Sequence, residues 1–158
     1  PPGRDAAFAI CGPSGSGKSM LAAQWVDAGA RLVADDVMAL GGDGDMTRGG
    51  GLGAGLVMRP DAAGVRRFVH LAPERQLRTA RLGAILLLDR APAGSPAHFE
   101  RLGALAALEA VLQQRHRPIV PQLLGRQAAV LAQARDMATA IPVWRWQRPQ
   151  GRMEMDAA

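Results

Sequence analysis

The sequence has one cysteine, one lysine, three histidines and no long apolar run. A single cysteine excludes an internal disulfide bond and a zinc site built from cysteines. No apolar run approaches the roughly 20 residues that a membrane-spanning helix requires. The opening PPGRDAAF also lacks the apolar region of a secretory signal. These absences favour a cytoplasmic protein that has no membrane partner.

Basic charge comes almost entirely from arginine, because the chain has 19 Lys and Arg residues and only one of them, Lys18, is a lysine. The net charge is +5, and the arginines are scattered rather than grouped in a block with aromatic residues. This diffuse pattern does not favour nucleic-acid binding. The histidines (His70, His98 and His116) lack the spacing of metal ligands, which favours structural or surface positions for them.

The 158 residues are expected to form one domain spanning 1–158. Hydrophobic patterning predicts strands at 7–11, 31–36, 56–58, 68–71, 83–89 and 141–146. It predicts helices at 99–115 and 122–140, and an earlier helix that carries Leu21, Trp25 and Val26 and stops at Gly29. Residues 41–55 are glycine-dense and predict a loop, and we expect the polar tail after Trp146 to be disordered.

The segment GPSGSGKS (12–19) fits the Walker A pattern, and it lies between a predicted strand and a predicted helix. Glycines let successive backbone N–H groups turn inward around phosphate oxygens, and the helix N-terminus adds further donors. Lys18 would reach the phosphates, and the Ser19 hydroxyl would bind Mg²⁺. The predicted nucleotide-binding residues are Gly12, Pro13, Ser14, Gly15, Ser16, Gly17, Lys18, Ser19 and Met20.

Two consecutive carboxylates, Asp35 and Asp36, follow the apolar run RLVA. Residues 7–36 predict a strand–loop–helix–strand unit with a parallel pair of strands, whose carboxyl ends meet at one sheet edge. The two aspartates are therefore expected beside the glycine-rich loop. There one carboxylate would hold Mg²⁺ and the other would accept the proton of a phosphate acceptor.

The stretch 7–40, with GPSGSGKS and then VDAGARLVADDV, resembles the catalytic domain of the HPr kinase/phosphorylase family. That family has a P-loop, a helix, a glycine-containing turn and a strand ending in Ala-Asp-Asp. GAILLLD resembles a later core strand of the family. The segment from Glu100 to Trp146 resembles shorter HPr-kinase-like proteins, some of which phosphorylate lasso-peptide precursors. The resemblance implies a P-loop kinase-like α/β domain, with a central mixed sheet flanked by helices.

This resemblance implies Mg-ATP-dependent phosphorylation of a serine hydroxyl on an HPr-like protein or a precursor peptide. It implies that Lys18 and Ser19 bind phosphate and Mg²⁺, that Asp35 is the base and that Asp36 is on the metal side. Arg81, just before GAILLLD, is placed like a phosphate-facing arginine of the family. The segment GGGLGAGLVMRPDAAG keeps glycines but lacks the family's charged pattern, so reverse phosphorolysis is not expected and an acceptor other than HPr is favoured.

Two alternatives stay open at the level of the sequence. One is a small-metabolite kinase that shares the P-loop. The other is a regulator that binds a nucleotide without phosphoryl transfer. A homo-oligomer is also an open expectation, because HPr kinases form ring-like assemblies and fold-level analogy alone does not decide it.

Overall fold

The computed structural model describes residues 6–41, 48–51, 56–60, 63–92 and 94–148. These residues form an α/β fold with a mixed sheet and flanking helices, as expected from the sequence. The strands are β1 (Ala6–Cys11), β2 (Met38–Leu40), β3 (Arg48–Gly51), β4 (Leu56–Pro60), β5 (Arg66–His70), β6 (Thr79–Arg90), β7 (His98–Arg101) and β8 (Val143–Arg148). The helices are α1 (Lys18–Asp27), α2 (Ala104–Gln113), α3 (Val120–Leu123) and α4 (Gln127–Ala140).

Strand β6 is the centre of the main sheet. Its successive residues Ala84, Ile85 and Leu86 are all buried, which is typical of a strand covered on both faces. β1 and β8 both pair with β6 in parallel, whereas β3 pairs with it antiparallel. The carboxyl ends of β1, β6 and β8 therefore meet at one edge of the sheet, and the loop that follows β1 begins there.

The register places β3 and β8 along the same side of β6. Arg81 pairs with both Ala6 of β1 and Arg48 of β3, so β1 and β3 lie on opposite sides of β6. Leu86 pairs with both Ile10 of β1 and Trp144 of β8, so β8 also lies opposite β1. β3 covers the first residues of β6 and β8 covers the last ones. β2 and β7 extend the sheet antiparallel to β3 and β8, respectively.

Two apolar clusters hold the described elements together. The larger cluster packs α2 and α4 against β6 and β8 through Leu82, Ile85, Ala107, Ala110, Val111, Ala134, Ile141 and Val143. The smaller cluster joins α1 to the segments that follow it through Ala23, Val26, Leu32 and Leu71. α1 ends at Asp27, two residues before the predicted stop at Gly29, whose positive φ of 108° lets its N–H donate to the Val26 carbonyl oxygen at 3.1 Å. The loop after β1 therefore runs from a strand of the main sheet to α1, which the smaller cluster holds in place.

The predicted strand at 31–36 and its parallel pairing with β1 are wrong. In that stretch Leu32 alone makes an isolated parallel bridge, and its partner is Gln76. The parallel neighbour of β1 is β6, which comes much later in the chain. An apolar run shows that a segment has strand character, but it does not identify the strand that it pairs with.

Other predicted elements are confirmed with shifted bounds. β4 and β5 pair antiparallel as a separate two-stranded sheet, and GAILLLD and IPVWRW fall within or overlap β6 and β8. The predicted helix at 99–115 begins only at Ala104, because residues up to Arg101 form β7. The helix predicted at 122–140 is divided into α3 and α4 around Gly125, whose φ of 63° interrupts the helical backbone.

Part of the glycine-dense segment predicted as a loop is strand β3, while residues 42–47 and 52–55 and the polar tail from 149 lie outside the described residues. The longest described helix, α4, has 14 residues. None of the helices in the described part of the chain is long and apolar enough to cross a membrane.

Candidate phosphate-binding site

The loop between β1 and α1 has the backbone that a phosphate-binding loop requires. Gly12, Gly15 and Gly17 have positive φ angles of 145°, 79° and 89°, which side chains with a Cβ rarely adopt. At Gly12 a Cβ would also lie 2.5 Å from the carbonyl oxygen of Leu88 in β6. The glycines therefore permit the tight turn and let the loop sit directly against the neighbouring strand.

Lys18 folds back across this loop. Its Nζ donates hydrogen bonds to the carbonyl oxygens of Gly12 at 3.0 Å and Pro13 at 2.9 Å. The ammonium group thus lies over the loop, and both of these hydrogen bonds have neutral carbonyl oxygens as acceptors. Phosphate oxygens are stronger partners for an ammonium group than carbonyl oxygens, so an anion in the loop would compete for Lys18.

The N-terminus of α1 offers donors to an anion. Gly17 is the N-cap residue, no side chain caps this end, and the first turn contains no acidic residue. The free N–H groups and the partial positive charge of a helix N-terminus favour a bound anion. Within the described residues, the buried Ser16 Oγ has no hydrogen-bond partner, which adds a polar atom that a ligand could satisfy.

The remaining residues predicted to bind nucleotide lie along the loop and the first turn of α1. Pro13, Ser14 and Gly15 are exposed, and Ser19 is partly buried in the first turn. Met20 is 55% exposed, so its side chain is directed to the surface and only its backbone belongs to the helix N-terminus. The structure therefore brings together the continuous segment that the motif predicted.

Asp35 and Asp36 line the same cavity as Lys18. This cavity has a volume of about 1530 Å³ and is also lined by Cys11 and Gln114. Asp35 Oδ1 is buried, whereas Asp36 is exposed. The aspartates reach the cavity from an irregular segment rather than from a strand beside β1.

A backbone anchor fixes the segment that leads to the aspartates. Leu32 donates to the carbonyl oxygen of Arg75 and accepts from the N–H of Leu77, both at 2.8 Å. A Cβ on Gly51 of β3 would overlap the carbonyl oxygen of Val33. This segment is therefore packed against β3 and against the residues that precede β6.

Arg81 does not join the loop. It pairs with Ala6, the first residue of β1, whereas the loop follows Cys11 at the opposite end of that strand. A strand rises about 3.3 Å per residue, so Arg81 lies about 20 Å along β6 from the residues beside the loop. Arg81 precedes the apolar run GAILLLD and therefore lies near the start of β6. The glycine loop lies beside the other end of that strand.

Two residues that the sequence patterns did not single out contact the loop, and a third lies near it. Gln114, just after α2, accepts the N–H of Gly12 at 3.2 Å, and Arg148 at the end of β8 donates to the Ser16 carbonyl at 2.6 Å. Arg90 at the end of β6 lies 3.9 Å from the position of a Cβ on Gly15. Only the parallel order of the strands brings these arginines to the loop. Alternation along IPVWRWQR groups Arg148 with the two tryptophans, but it does not indicate the loop.

Burial changes the pKa of two groups in this region. Burial raises the pKa of the Cys11 thiol, and the nearby positive charge of Lys18 opposes that shift. Burial also lowers the pKa of Arg148, although an arginine stays protonated at neutral pH. Arg148 beside the loop is consequently partly removed from water, which strengthens its attraction for an anion.

No group of three or more His, Cys, Asp or Glu side chains within the described ranges is arranged to hold a metal ion.

No protein-family model, curated protein or solved structure matches the chain. The chemistry of the site is therefore interpreted from its own geometry.

Proposed function

We propose that this protein is a Mg-ATP-dependent kinase that phosphorylates a serine hydroxyl of a protein or peptide, on a P-loop kinase-like domain. The observation that carries the proposal is the glycine loop between β1 and α1, with Lys18 folded over its carbonyl oxygens. The presence of Asp35 and Asp36 in the lining of the same cavity supports phosphoryl transfer rather than phosphate binding alone.

The cavity volume supports a nucleotide together with an acceptor. Pockets for one small molecule usually measure about 300–1,000 Å³. The cavity lined by Lys18 and the two aspartates is larger, at about 1530 Å³. Its lining includes Lys18 but not loop residues 12–17, so this volume lies beside the loop, where an acceptor segment could enter.

The donor set of the site fits Mg²⁺. The Ser19 hydroxyl and the Asp36 carboxylate would supply oxygen ligands, which Mg²⁺ prefers over nitrogen and sulfur. Mg²⁺ needs only one or two protein ligands because phosphate oxygens and water complete its coordination, so a cluster of acidic residues is not required. When bound, Mg²⁺ would neutralise charge on the β- and γ-phosphates.

Lys18 and Asp35 would have separate tasks in the proposed reaction. Lys18 would exchange the carbonyls of Gly12 and Pro13 for phosphate oxygens, which holds the triphosphate in the loop. Asp35 would accept the proton of the serine hydroxyl as the serine oxygen bonds to the γ-phosphorus. The bond from that phosphorus to the β–γ bridging oxygen breaks, and ADP leaves.

A serine-peptide library with Mg-[γ-³²P]ATP tests the proposal. We expect label on peptides that contain serine and not on the matching alanine peptides. Lys18→Met should lower transfer about 100-fold or more because it removes the charge that orients the phosphates. Asp35→Asn should lower kcat about 100-fold while KM for ATP changes less than about threefold, since a base acts in the transition state.

Asp136→Asn is the matched control, because Asp136 is an exposed aspartate on α4 that pairs with Arg135. This variant should transfer phosphate at the rate of the natural sequence. Full transfer by Lys18→Met or Asp35→Asn would contradict the mechanism. Nucleotide binding without any labelled acceptor would instead indicate a regulator.

A further inference from the structure

Arg148 reaches the glycine loop from β8, which is the last described strand of the chain. Its Nη2 donates to the carbonyl oxygen of Ser16 at 2.6 Å. Its Nη2 also lies 2.9 Å from the position that a Cβ on Gly17 would occupy, so the guanidinium approaches the backbone at Gly17 closely. Arg148 therefore packs directly against the Ser16–Gly17 peptide unit.

The strand holds this guanidinium in place from the other side. Trp146 and Arg148 are two residues apart and share one face of β8. The guanidinium carbon lies 5.4 Å from the centroid of the Trp146 ring, within the range of a cation–π contact. The N–H of Ala91 donates to the Arg148 carbonyl oxygen at 2.8 Å, which ties the end of β8 to the end of β6. Arg148 is thus held in place through both its backbone carbonyl and its guanidinium group.

The contact with Ser16 sets the direction of a neighbouring N–H group. In a planar trans peptide the C=O and N–H bonds point in opposite directions. The Ser16 carbonyl faces Arg148, so the N–H of Gly17, in the same peptide unit, faces away from β8. Inward-facing N–H groups are the donors with which a glycine loop binds phosphate oxygens.

We propose that Arg148 is a positioning residue of the phosphate site, which holds the Ser16–Gly17 peptide with the Gly17 N–H directed into the loop. The proposal rests on the proposed binding of a phosphate chain by this loop. Arginine suits the task because its rigid guanidinium fork can donate to a carbonyl while its flat face rests on an aromatic ring. Its charge also lies close enough to the loop to favour a bound anion.

Titration with inorganic tripolyphosphate in the presence of Mg²⁺ tests this role without a phosphoryl acceptor. Arg148→Met keeps an apolar stem on Trp146 but removes the donors and the charge, so we expect Kd to rise about tenfold. Arg148→Lys keeps one charged donor and should recover part of that loss. Arg145→Met is the matched control, because Arg145 lies on the opposite face of β8 and pairs with Glu100 at 3.0 Å. Its Kd should stay within about twofold of the natural value, since the effect of a partly exposed pair is small and local.

Thermal unfolding of each variant separates positioning from a merely structural role. A structural role alone would lower the unfolding temperature of Arg148→Met and leave the Kd of the folded protein unchanged, and this result would overturn the proposal. The amide resonance of Gly17 in the natural protein gives a readout that needs no variant. It should shift downfield when tripolyphosphate is added, and an unmoved resonance would also overturn the proposal.

The two proposals fail in different ways. If the natural protein binds tripolyphosphate and Arg148→Met binds it equally well, the positioning role is wrong and the proposed kinase stands. If the natural protein binds neither tripolyphosphate nor ATP, the phosphate site is wrong and both proposals fall with it.

Discussion

Cys11, at the end of β1, shows how the position of one residue sets its chemistry. Burial raises the pKa of its thiol because a thiolate loses hydration there, while Lys18 opposes this shift. A native pKa above that of the unfolded chain means that the unfolded state releases its proton first as pH rises. The free energy of unfolding is therefore unaffected by this group below the unfolded thiol pKa, and it falls as pH rises through the native value.

We expect Cys11 of the folded protein to react slowly with iodoacetamide at pH 8. The reactive species is the thiolate, and each unit by which the pKa is raised lowers its fraction about tenfold. Alkylation can be followed by mass spectrometry in buffer and in urea, and the unfolded chain should react faster. Equal rates in the two conditions would show that the thiol is not protected by burial.

At the scale of single elements, β6 combines the central position in the sheet with contact to the glycine loop. Leu88 is only 1% exposed, and its carbonyl oxygen faces Gly12. Leu105 on α2 is the same residue type but is 79% exposed. Because both residues are leucines, a comparison of Leu88 with Leu105 isolates the effect of burial on stability.

Leu88→Ala should lower the free energy of unfolding by about 2–5 kcal/mol, because it leaves a cavity in a packed strand. Leu105→Ala should change it by less than about 0.5 kcal/mol, since its side chain is largely in water. Urea unfolding followed by circular dichroism measures both values. Similar losses in the two variants would mean that β6 is not the packed centre of the sheet.

The central strand was predictable because seven consecutive residues, GAILLLD, contain five apolar residues and match the length of a buried strand. The run RLVADD also begins with apolar residues, yet it does not form a strand. Its one bridge joins Leu32 to Gln76, which precedes β6. A local hydrophobic pattern indicates that a segment is buried, whereas the strand with which it pairs depends on residues elsewhere in the chain. The same reason explains why the sequence did not single out Arg148, and why Arg81, predicted to face phosphate, lies at the opposite end of β6 from the loop.

For the molecule as a whole, a ligand that binds only the folded state must raise its stability. The glycine loop contacts β6, β8 and the residue after α2. A phosphate chain bound in the loop would therefore stabilise the folded arrangement of all three. Stabilisation by a ligand at 100 times its Kd amounts to about 2.7 kcal/mol. For a domain of this size that corresponds to a rise of roughly 5–11 °C in Tm.

Mg-ATP at about 100 times its Kd should therefore raise the Tm of the natural protein by roughly 5–11 °C in a thermal shift measurement. Lys18→Met should lose most of this rise, because the ammonium over the loop supplies the strongest single attraction for the phosphates. MgCl₂ alone and adenosine are the controls, and neither should shift Tm by more than about 1 °C. An equal shift with adenosine would indicate a site that recognises the base instead of the phosphates.

The sequence by itself determined the chemistry that depends on neighbours in the chain. Gly12 to Ser19 are contiguous, so their turn, the helix N-terminus and the reach of Lys18 follow from local backbone preferences. Tertiary structure alone decided which strands lie beside this loop. It placed Arg148 against Ser16 across 132 positions and left Arg81 at the far end of β6. The physical reason is that strand pairing is chosen by the burial of whole faces of the sheet, a free-energy term that no short segment contains.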